Sequence, residues 1–213
     1  MNLSSIFLGG VTSEHRKYMR AVFEHYISKG CDRIFIPCTG QNTIVKTALE
    51  AGFKPEQIFS SDISLFSSVL GYLYSGQPID ELDFEVINPD FYDFYHNQPT
   101  DQHKVAAVLF MMKLSQLRQA VFYENSFRDE MLSKPDYYLK QIYDQLTKNL
   151  EVFKGVNYQQ QDVRELFFEM KDDYKETDLV IMNPPAFSKG YEKMFAFGEF
   201  MKYTVPADEF DLS

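Results

Sequence analysis

Cysteine is nearly missing from this chain of 213 residues. Cys31 and Cys38 form neither a disulfide framework nor a metal-ligand spacing, which excludes a cystine-stapled secreted domain and makes the cytoplasm the expected location. Positive charge is scarce too: 21 Lys and Arg face 31 Asp and Glu, for a net charge of −10. That balance argues against a chain that coats naked nucleic acid, because phosphate binding wants Lys and Arg gathered on one face. No apolar run reaches membrane-spanning length, and residues 1–11 lack the basic start and long apolar centre of a signal peptide. No metal site is expected. What the sequence does hold is aromatic bulk, 20 Phe and 14 Tyr, in a length able to bury one full core. The composition suits one α/β domain carrying an insertion.

Thr12 is placed to cap a helix whose Met19, Val22, Phe23, Tyr26 and Ile27 share a face, and Gly30 to close it. Arg33-Ile34-Phe35-Ile36-Pro37 reads as a buried strand, Cys38-Thr39-Gly40-Gln41-Asn42 as a turn, and 43–51 as a helix ended by Gly52. Strand, tight glycine turn and helix are half of a nucleotide-binding unit, in which backbone N–H groups of the turn face a ligand. Residues 57–60 form a second strand leading to Asp62-Ile63. Asp62 follows Gly40 by roughly the 20-residue interval at which a carboxylate reaches a ribose. It is equally placed to cap the helix Leu65–Tyr74.

From 77 to 155 the strand pattern stops. Residues 79–93 are acidic and aromatic and read as loop; 101–122 and 133–153 carry apolar residues at helical spacing, the second stretch opening on Ser133-Lys134-Pro135-Asp136. Residues 156–160 read as a third strand, followed by Asp162 at the start of a short amphipathic helix. Leu179-Val180-Ile181-Met182 is a fourth strand, stopped by Asn183-Pro184-Pro185 because prolines cannot donate to a ladder. An amide is thereby fixed at the carboxyl end of a parallel-type strand, where open α/β sheets bind ligands. Asn183 and the Pro184 carbonyl can both accept from one planar amino group. Such acceptors draw the nitrogen lone pair out of conjugation and need no reorganisation as positive charge develops.

Asn183-Pro184-Pro185, with Phe187 beyond it, resembles the Asn/Asp-Pro-Pro-aromatic motif of S-adenosylmethionine-dependent amino-methyltransferases. The nearest in order of parts are the Dam-like DNA adenine-N6 enzymes, including antirestriction-type adenine methyltransferases of phage. The resemblance implies a doubly wound Rossmann-like methyltransferase sheet with a helical insertion. Residues 1–76 would be its cofactor-binding half, 77–155 an insertion suited to target recognition, and 156–213 its catalytic half. It further implies that S-adenosyl-L-methionine lies against Gly9, Gly10, Pro37, Cys38, Thr39, Gly40, Asn42, Asp62, Ile63, Asp162 and Val163. Asn183, Pro184 and Pro185 would present the amino group, and Phe187 would stack on an adenine flipped out of DNA.

The chain departs from the pattern in places. Ala186 stands where the aromatic residue follows the prolines, so Phe187 must serve one residue later. Val11 replaces the lysine usual after the two glycines, and Asn42 replaces the later glycine of the loop. The stretch after Phe187 is too short for the last strands of such a sheet, so a domain truncated at its C-terminus is expected. Two other readings follow. A protein-glutamine or ribosomal RNA N-methyltransferase shares the motif, and a protein partner suits the acidic charge. A catalytically inactive methyltransferase fold, acting as a binding or antirestriction protein, suits the departures.

Overall fold

Short apolar strands alternating with helices build a layered α/β fold in the computed structural model, which describes residues 3–6, 10–184 and 197–205. Helix α1 (Ser13–Ser28) is capped by Thr12, whose hydroxyl accepts from the His15 N–H. Phe23 is its one fully buried side chain; Met19 and Ile27 pack partly and Tyr26 turns to solvent, so the apolar face is narrower than its periodicity implies. Then come β1 (Arg33–Pro37), α2 (Thr43–Ala51), β2 (Ile58–Asp62) and α3 (Leu65–Ser75).

Residues 77–155 hold more than helices: β3 (Phe84–Val86), α4 (Pro89–His96), α5 (Asp101–Gln116), α6 (Phe122–Ser133) and α7 (Pro135–Phe153). The reading of 79–93 as loop is corrected. Asn88 caps α4 by accepting from the Asp90 N–H, and Pro89 occupies the first helical turn, where a missing N–H leaves no bond unmade. The stripe over 101–122 is split likewise, with α5 ending at Gln116 and α6 beginning at Phe122. In α5 every residue from Val105 to Met112 is buried. A helix apolar all round lies inside a structure rather than on it, and α5 joins α3 and α7 to the core of the sheet.

The chain then returns as β4 (Asn157–Gln160), α8 (Val163–Asp173), β5 (Asp178–Val180) and β6 (Met201–Tyr203). Among the described residues four strands form a parallel sheet in the order β4-β2-β1-β5. Ile34, Ile36, Ile58 and Leu179 belong to the main core, while Phe35, Phe59 and Val180 meet Leu166 and Met170 of α8 on the other face. Because β4 and β5 lie at opposite edges, α8 crosses in the reverse sense, and a right-handed connection then requires the opposite face. The order reverses between β1 and β5: β1 leads on to β2, whereas β5 is reached from β4. Such a point opens a crevice at the carboxyl ends of the strands. A separate antiparallel pair joins β3 to β6, Phe84 opposite Tyr203 and Val86 opposite Met201. No helix of the described residues is long and apolar enough to cross a membrane.

Candidate active site at the carboxyl ends of the strands

The turn after β1 is built from left-handed residues: Cys38 has φ 57°, Gly40 52° and Asn42 59°. Glycine enters that region freely, and asparagine more readily than other side chains. Asn42 therefore keeps the backbone shape a glycine would give. The turn was expected to face a ligand with its N–H groups, and the structure corrects this. Thr39 N–H donates to Ser61 O at 3.1 Å, Asn42 N–H to Thr39 O at 2.9 Å, and Gly40 N–H to Asp62 Oδ2 at 2.9 Å.

Asp62 is the clamp of this turn. Its other oxygen accepts from Ser64 N–H at 2.8 Å. Ser64, not Asp62, caps α3 by accepting from the Ser67 N–H, and the Ser67 hydroxyl donates back to Gly40 O at 3.0 Å. Burial pushes the Asp62 carboxyl up, opposed by the N–H groups of Ser64 and Gly40. From the neighbouring strand the Tyr158 hydroxyl donates to Asp62 O at 3.1 Å. Half-buried Ile63, expected to pack on a base, gives its carbonyl to the Tyr203 hydroxyl, which also accepts from Gln160 Nε2 at 2.7 Å. Through Tyr203, β6 is fastened to the ends of β2 and β4.

Asp162 caps α8, accepting from Arg164 N–H at 2.8 Å and Arg164 Nε at 2.9 Å. Burial alone would raise its carboxyl, but the Arg164 side chain, N–H and charge outweigh that and hold it below the usual range. Half-buried Val163 follows, and Pro37 is buried at the end of β1. Burial pushes the Cys38 thiol up to about 11, with the carboxylates of Asp62 and Asp162 adding to the shift. The structure thus brings Cys38, Asp62 and Asp162 to one end of the sheet.

β5 delivers the amide. Ile181 N–H donates to Phe35 O at 3.0 Å, which extends the ladder by one residue, and Met182, Asn183 and Pro184 then run into solvent. Asn183 and Pro184 stand exposed next to β1, the strand that leads into the Cys38–Asn42 turn. Gly10 is exposed at the start of the chain. Gly9, Pro185 and Phe187 lie outside the described residues. A family model described as Phage DNA Adenine Methylase-like domain 1 matches residues 7–211. The chain belongs to that family. No curated protein and no solved structure matches it.

A DNA adenine methylase-like domain implies S-adenosylmethionine as methyl donor, and buried polar atoms tell whether this one suits it. Asn42 Nδ2, Ser61 Oγ and Gln161 Oε1 have no hydrogen-bond partner among the described residues, although each residue is more than nine-tenths buried. An unmet buried polar atom costs about 1–3 kcal/mol. Three of them sit in the turn after β1, at the end of β2 and just past β4, on adjacent strands of the sheet. Asn42 lines a tight internal pocket with Val45, Ser60, Gly71 and Tyr158. Ser61 and Gln161, a hydroxyl and an acceptor at the carboxyl ends of β2 and β4, match the polar edges of a nucleoside, and through them the chain fits the group. Ser61 and Gln161 carried no signal in the sequence beyond directly preceding Asp62 and Asp162. Among the described residues no His, Cys, Asp and Glu side chains converge on a metal position.

Proposed function

We propose that this methylase-like chain transfers a methyl group from S-adenosyl-L-methionine to the N6 amino group of adenine in DNA. One observation carries the reading: Asn183 and Pro184 emerge into solvent two residues past the last ladder bond of β5, at the point where the strand order reverses. When bound, the donor supplies an electrophilic sulfonium methyl. Ser61 and Gln161 would meet its polar edges, Cys38, Ile63 and Val163 its apolar ones, and Gly9 and Gly10 its methionine end, while Asn42 shapes the turn beneath it. Asp62 holds the turn in shape, and Asp162 keeps lone pairs beyond those given to Arg164 with which to accept an amino group.

Asn183 Oδ1 and the Pro184 carbonyl would accept the two protons of the adenine amino group, leaving its lone pair aimed at the methyl. Acceptors fixed on a strand end favour the developing positive charge without reorganising. Pro185 would stiffen the turn, Phe187 would stack on the flipped base, and residues 77–155 would carry target recognition. Rate then comes from positioning. Asn183→Ala should lower transfer to an adenine-containing duplex by about 10²–10³-fold while calorimetry shows unchanged donor binding. Full transfer by that variant refutes the assignment.

A second reading, a fold that binds without catalysing, is favoured by one feature: Thr39, Gly40 and Asn42 give their N–H groups to the chain itself. No calorimetric heat with S-adenosylmethionine would support it.

A further inference from the structure

A duplex must be held by its phosphates before any base is presented, and the insertion is poorly made for that. Residues 77–155 carry thirteen Asp and Glu against eight Lys and Arg. Of those cations, Lys104, Arg118, Arg128, Lys134 and Lys140 are each paired with a carboxylate.

Helix α1 is different. Arg16, Lys17 and Arg20 lie in its first two turns, all exposed. At about 100° per residue they fall within one arc of about 100°, and Arg16 and Arg20 stand one turn apart. Phe23, two turns beyond Arg16 on the same side of the helix, is buried edge-on against Phe53, so the three cations are the exposed forward end of the side by which α1 packs. Neither Arg16 nor Lys17 is in an ion pair among the described residues. Arg20 meets Glu24 at 2.9 Å, but both side chains are about half exposed, and a pair of that kind is readily exchanged for a stronger anion.

Topology puts this stripe at the right end of the molecule. α1 passes through Gly30 into the start of β1, so it runs against β1 and its first turns lie level with the carboxyl ends of the strands. It packs on α2, which itself springs from the 38–42 turn. The three cations therefore stand at the same end of the sheet as Asn183.

We infer that the Arg16–Lys17–Arg20 face of α1 holds the phosphate backbone of the duplex whose adenine is offered to Asn183; this rests on the DNA reading above. Contacts of this kind position a duplex without reading its sequence and make affinity steeply dependent on salt. The experiment is fluorescence anisotropy of a labelled adenine-containing duplex, titrated with the whole chain between about 50 and 200 mM salt. Combined substitution of Arg16→Gln, Lys17→Gln and Arg20→Gln should weaken binding at least tenfold at low salt. It should also reduce the slope of log K against log salt by about 2–3, with thermal melting and S-adenosylmethionine binding unchanged. Lys29→Gln with Lys171→Gln, two exposed cations at the opposite end of the sheet, should leave the slope alone.

Unchanged affinity and slope in the triple variant, with a wild type that binds, overturns this face and leaves the DNA reading standing. An equal loss in the Lys29/Lys171 variant also overturns it, because the attraction is then diffuse. A wild type with no salt-dependent binding overturns the DNA reading together with it.

Discussion

Replacing Gly71 with alanine sets two effects of opposite sign against each other. In an open helix the exchange stabilises by about 1 kcal/mol, because alanine favours the helix and restricts the unfolded chain. Gly71, in α3, is not open. A Cβ there would lie 2.2 Å from Cγ and Cδ2 of Tyr158 and 2.5 Å from Cδ1. These are ring atoms rather than the tip of a flexible chain. The ring is also held, since the buried Tyr158 hydroxyl donates to Asp62 O at 3.1 Å and lies 3.2 Å from Ser68 Oγ. Overpacking of this kind costs about 1–3 kcal/mol, and losing the bond to Asp62 adds about 1 kcal/mol. After the helical gain is subtracted, the net effect is destabilisation by about 1–3 kcal/mol, or roughly 3–10 °C in Tm for a chain of this size. Thermal melts followed by circular dichroism would measure it, with Gly71→Ala/Tyr158→Val as the variant in which Gly71→Ala should cost nothing further. A Gly71→Ala protein melting at or above the wild type would show that α3 and β4 do not touch in this way.

Asp178→Asn should destabilise by about 3 kcal/mol, because the buried carboxylate accepts from Arg33 Nε at 3.0 Å, Arg33 Nη2 at 2.7 Å and Lys175 N–H at 2.9 Å. Burial pushes this carboxyl up, but the Arg33 and Lys175 bonds and their charges win and hold it below its usual range. A depressed folded-state value means stability present above the unfolded value, near 4, and lost as pH falls through the folded one. Urea melts should accordingly show the wild type's margin over the variant shrinking below about pH 4, and a margin constant with pH would contradict the account. Cys38, with its thiol pushed up to about 11, should react with iodoacetamide at neutral pH on the order of a hundredfold more slowly than an exposed cysteine. Mass spectrometry would follow the labelling, and rapid modification of the folded chain would show that the thiol is not enclosed.

Local signals carried far. The 33–37 strand, the Thr12 and Asp162 caps and Pro135 at the first turn of α7 are all settled by residues next to one another, and all four appear in the structure. β3 and β6 were illegible because each is three residues long and its partner lies at the other end of the chain. Spacing placed a carboxylate near Gly40 but could not say which way it turned; the left-handed turn decides that by swinging Gly40 N–H toward Asp62. Ser61 and Gln161 were invisible for another reason. Whether a polar side chain is buried without a partner depends on the helices packed over it, which no short pattern records.

Pairing Phe84 with Tyr203 joins positions separated by well over a hundred residues, and closing so wide a ring costs about 4 kcal/mol of chain entropy. During synthesis, at about 5–20 residues per second, the first strand waits on the order of ten seconds for its mate. Throughout that interval Phe91, which packs beside Phe110, lacks the Phe200 ring that later meets it edge-on. A nascent chain stalled before this last seam is the species most exposed to aggregation, and the one a chaperone would meet.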